Sequence, residues 1–79
     1  MPKRYDPYAG FKKFAVELTR QISTPNLLVL TVVRGNPAKS YLIQQSFDRG
    51  KTWNFVWVMM GDGQLLVQDV DAKWRALEL

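Results

Sequence analysis

The sequence predicts a small α+β domain: an N-terminal amphipathic helix packed on a four-stranded antiparallel β-meander, closed by a short C-terminal helix. Three observations predict it. Apolar residues recur at helical spacing near the start of the chain, at Phe11, Phe14, Ala15, Leu18 and Ile22. Four segments rich in β-branched and aromatic residues follow, with short turns between them. At 79 residues the chain has room for one domain, spanning residues 1–79.

The helix opens at Asp6-Pro7, an acceptor for the first amides followed by proline at the first helical position. Lys12, Lys13, Glu17 and Arg20 lie off its apolar stripe. Pro25 disfavours helix at the residue before it and marks the end. Residues 27–34 are almost continuously apolar, which suits a strand covered on both faces or central in its sheet. Gly35-Asn36-Pro37 makes a turn. Residues 40–47 alternate, with Tyr41, Ile43, Gln45 and Phe47 on one face. Residues 52–60 alternate as well, with Trp53, Phe55, Trp57 and Met59 on one face and Val56, Val58 and Met60 on the other. Gly61-Asp62-Gly63 is a tight turn, and residues 64–70 form the fourth strand. Asp71 then caps the last helix, with Trp74 and Leu77 on its inner side, and continuation of this segment as a strand is the alternative.

Between the second and third strands lies Ser46-x-Asp48-x-Gly50-x-Thr52-Trp53. These eight residues resemble the Asp-box, the S-x-D-x-G-x-T-W hairpin of sialidase-type β-propellers, and match it at every consensus position. The resemblance implies a structural turn and not a glycosidase, because a propeller needs several four-stranded blades. In such a turn Asp48 accepts amide hydrogen bonds, Gly50 takes positive φ, Thr52 begins the return strand and Trp53 anchors the register. The element order is also similar to that of double-stranded-RNA-binding domains. The basic start of that family's second helix is missing, however: Asp69-Val70-Asp71 stands there.

Composition narrows the function. No cysteine or histidine is present, so disulfides, thiolate metal sites and imidazole catalysis are excluded. No nucleophile–base pair or phosphate-binding loop appears, and the reading is of a non-enzymatic protein without cofactors or bound metal. No apolar run is long enough to span a bilayer and no leader follows Lys3 and Arg4, which with the lack of cysteine points to the cytoplasm. Met1 suggests a whole chain.

Residues 1–53 hold nine cations against three acids, net +6, and residues 54–79 two against four, net −2. This charge and the aromatic strands predict binding of single-stranded nucleic acid. Arg34, Lys39, Arg49 and Lys51 would meet phosphates, and Tyr41 and Phe55 would stack on bases. The alternative reading is a protein-interaction module that self-associates, as a dimer, through an apolar sheet face. It answers a hydrophobic content of 47%, more than so small a body hides.

Overall fold

The computed structural model describes residues 8–79, and every one of its regular elements is a strand. They are β1 (Lys13–Phe14), β2 (Val16–Arg20), β3 (Leu27–Val32), β4 (Ser40–Ser46), β5 (Asn54–Met60), β6 (Leu65–Gln68) and β7 (Lys73–Glu78). A four-stranded sheet has the order β1-β7-β4-β5 and a three-stranded sheet the order β2-β3-β6, all pairs antiparallel. The domain is therefore all-β, and both predicted helices are corrected. Since the described residues contain no helix, they contain none long and apolar enough to cross a membrane.

The N-terminal helix gives way to β1 and β2, which are one extended segment divided at Ala15 between the two sheets. Phe14 pairs with Ala76 in one sheet and Val16 with Val32 in the other, while the Ala15 carbonyl accepts from the Val33 amide. A period of two wins over the helical one. Phe14 and Val16 pack against the core and Leu18 pairs on that same face with fully buried Leu30, whereas Ile22, which a helix would bury, is 98% exposed. The predicted cap at Asp6-Pro7 lies outside the described residues.

The second helix is β7, an interior strand between β1 and β4. Its residues Trp74 and Ala76 face the core, and Ala76 is fully buried. Spacing of three between Trp74 and Leu77 suggested a helix. In the strand the two residues lie on opposite faces, and Leu77 is buried on the outer side.

The predicted meander is corrected too. Only β4 and β5 pair as sequence neighbours among the last five strands. β3 pairs with β2 and β6, and β4 pairs with β5 and β7. β3 is central in its sheet, which suits its apolar sequence. Its Leu28, Leu30 and Val32 pack with Val67 of β6 against Tyr41 and Ile43 of β4 and Ala76 of β7. Tyr41 is fully buried, its ring edge-on to Phe14 at 5.2 Å. Its hydroxyl donates to Glu78 at 2.9 Å and accepts from the Asn36 amide at 2.8 Å. Burial pushes that hydroxyl above its ordinary pKa of 10.0.

Two turns cross at one end of the sandwich. The Gly61 amide donates to the Lys39 carbonyl at 3.1 Å, and the Lys39 amide donates to the Asn36 carbonyl at 2.9 Å. A methyl group on Gly61 would stand 2.2 Å from the Asn36 carbonyl oxygen, and one on Gly35 2.6 Å from the Gly61 carbonyl oxygen.

Candidate functional site

At the opposite end, the turn between β4 and β5 is built from side-chain acceptors. The Ser46 hydroxyl donates to Asp48 Oδ1 at 2.7 Å and accepts from the Gly50 amide at 2.8 Å. The Thr52 amide donates to Asp48 Oδ1 at 2.8 Å and the Thr52 hydroxyl to Asp48 Oδ2 at 2.6 Å. The chain reverses at Arg49 (φ 63°) and Gly50 (φ 91°). Both carboxylate oxygens of Asp48 are thus occupied by the turn itself.

The Thr52 hydroxyl above all, then the Thr52 amide and the Ser46 hydroxyl, hold Asp48 far below the ordinary carboxyl value of 3.8. A depressed folded-state pKa contributes stability that is fully present above the unfolded value and is lost as pH falls towards the folded one. Urea unfolding at a series of pH values should show wild type exceeding Asp48→Asn by most near neutrality. The difference should shrink below about pH 4. A pH-independent difference would mean that the charge on Asp48 is irrelevant to the turn.

Past this turn the register breaks. Ile43 pairs with Trp57 and Gln44 with Phe55, so Val56 is an extra residue in β5. The bulge divides the aromatic row expected on one face. Trp57 stays on the side of Ile43 and Tyr41, whereas Phe55 moves to the outer side with Gln44 and Arg75. Gln44 is almost completely buried there and accepts from Arg75 Nε at 2.8 Å. The Arg75 guanidinium lies 4.2 Å from the Trp53 ring centroid and 5.7 Å from that of Tyr8.

The outer face of the four-stranded sheet consequently carries Lys13, Lys73 and Arg75 with Phe55 and Val58, and none of its strand residues is Asp or Glu. Lys73 pairs with Ser46 and reaches over the turn, its Nζ 3.6 Å from the position a Gly50 methyl would take. Exposed Arg49 and Lys51 stand in that same turn. An open depression of about 430 Å³ is lined there by Ser46, Phe47, Arg49, Asp71, Ala72 and Lys73. The outer face of the other sheet differs: its strand residues include Glu17 and no cation.

Of the residues expected to bind, Arg49 and Lys51 share the turn between β4 and β5, and Phe55, 63% exposed, lies at that end of β5. Arg34 and Lys39 lie at the other end of β4, a strand length of about 20 Å away. Tyr41 offers no free ring face because it is wholly inside the core. Lys73 and Arg75 were missed: read as helix, they have no sheet to share with Phe55. The alternation in Lys73-Trp74-Arg75-Ala76 was the available signal. Compared with protein-family models, curated proteins and solved structures, the chain matches none.

Proposed function

We propose that the domain binds single-stranded nucleic acid, without catalysis, on the outer face of the four-stranded sheet near the turn between β4 and β5. One observation carries this reading. Exposed Lys73, Arg49 and Lys51 gather at one end of an outer sheet face that also carries exposed Phe55 and to which the strands contribute no carboxylate. Single-strand binders combine cations that follow the phosphates with flat rings that accept any base. Arg75 has a supporting role, tying Gln44 to the Trp53 ring.

Fluorescence anisotropy of labelled oligothymidylate and oligouridylate tests the reading. At about 50 mM salt binding should be clear, and log K should fall with log salt by about 0.7 per phosphate contact. Lack of affinity for both oligomers at that salt would refute it.

A further inference from the structure

We infer that β5 is the seam of a homodimer, in which the β5 strands of two copies pair antiparallel to join their four-stranded sheets. The strand ends its sheet: β4 lies on one side, and no described strand lies on the other. Its seven residues, Asn54-Phe55-Val56-Trp57-Val58-Met59-Met60, include no charge, proline or glycine, and none of them is buried. The four-stranded sheet outnumbers its partner by one strand, and β5 meets the core only through half-buried Val56 and Met59.

The kind of occupant follows from how the exposure is divided. Within the regular run past the bulge, Val58 and Met60 face outward while Trp57, 58% exposed, faces the core side, and Phe55 lies beyond the bulge, outside the joint. A ligand lying on one face would cover one of these groups. A strand added at the edge covers both and also takes up the unpaired backbone groups. The other edges lack this combination. β2 carries Glu17 and Arg20, the latter paired with Asp69 at 2.5 Å, β1 has two residues and β6 has four. Only the bulge at Val56 interrupts β5, and residues 57–60 beyond it form a regular run.

A second copy fits this edge better than a charged partner. β5 has no charge with which to select one, whereas an antiparallel joint about a two-fold axis brings an identical uncharged edge. Net charge of +4 on each copy does not oppose the joint. The antiparallel arrangement sends the two Arg49-Gly50-Lys51 turns to opposite ends, farther apart than the Debye length of about 8–10 Å.

Sedimentation equilibrium without nucleic acid tests the inference independently of the binding reading. Wild type should show twice the 9.1 kDa chain mass at about 100 µM. Val58→Lys and, separately, Met60→Lys should return it to 9.1 kDa with an unchanged circular dichroism spectrum. Leu66→Lys, the same change on exposed β6, should leave the dimer intact. A monomeric wild type would overturn the inference. So would a dimer that persists in natively folded Val58→Lys and Met60→Lys, or one that Leu66→Lys disperses.

Discussion

Gly61→Ala should bring the domain close to unfolding. The new methyl group would sit 2.2 Å from the carbonyl oxygen, 2.5 Å from the carbonyl carbon and 2.6 Å from the amide nitrogen of Asn36. These are backbone atoms, and the turn that holds them cannot retreat easily. The Asn36 amide is bound to the buried Tyr41 hydroxyl, and the Asn36 carbonyl to the Lys39 amide. Overpacking a close-packed site costs about 1–3 kcal/mol, and overlap with fixed backbone belongs at the upper end. A body of this size has net stability of about 3–5 kcal/mol. Thermal melting should therefore drop by roughly 12 °C or more, at about 4–8 °C per kcal/mol. Gly10→Ala, where nothing lies within 4 Å, is the control and should melt close to wild type. Equal melting of Gly61→Ala and wild type would mean that the two turns do not cross as described.

The second large effect concerns binding. Lys51→Glu with Lys73→Glu should lower the affinity for oligothymidylate at low salt by about 100-fold or more. The salt slope should fall by about 1.4, the equivalent of two single-strand phosphate contacts. Arg34→Glu with Lys39→Glu makes the same change in net charge at the far end of β4. It should cost much less and leave the slope nearly unchanged. The comparison separates a localised site from the diffuse attraction that any basic protein has for a polyanion. Equal losses in the two double variants would favour diffuse attraction and rule out the site.

The parts legible in the sequence were those set by local chemistry. Ser46, Asp48, Gly50 and Thr52 specify their reversal within eight residues, and the hydrogen bonds that close it run between those same residues. The strands at β3, β4, β5 and β6 were legible because β-branched and aromatic runs end at glycine and proline. Partners distant in the chain decided the rest. Phe14, Leu18 and Ile22 satisfy helical spacing, yet Phe14, Val16 and Leu18 satisfy strand spacing equally well. Pairing of β2 with β3 settles the choice. Lys73–Glu78 is too short to declare its period, and only its place between β1 and β4 makes it a strand. The bulge at Val56 has no marker such as glycine, so the division of Trp57 from Phe55 was hidden, and with it most of the proposed binding face.

The position of β7 has a consequence for how the protein is made. It occupies the interior of its sheet, with its Glu78 amide held by the Lys12 carbonyl and the Leu79 amide by the Ser40 carbonyl. During translation β1 and β4 emerge first and must wait for the filler between them. A nascent chain halted before residue 73 would hold two unzipped borders and an uncovered Ile43, a target for chaperones and proteases. Closure of the four-stranded sheet is thereby deferred until β7 has left the ribosome, whereas the three-stranded sheet and the β4–β5 hairpin can pair before it.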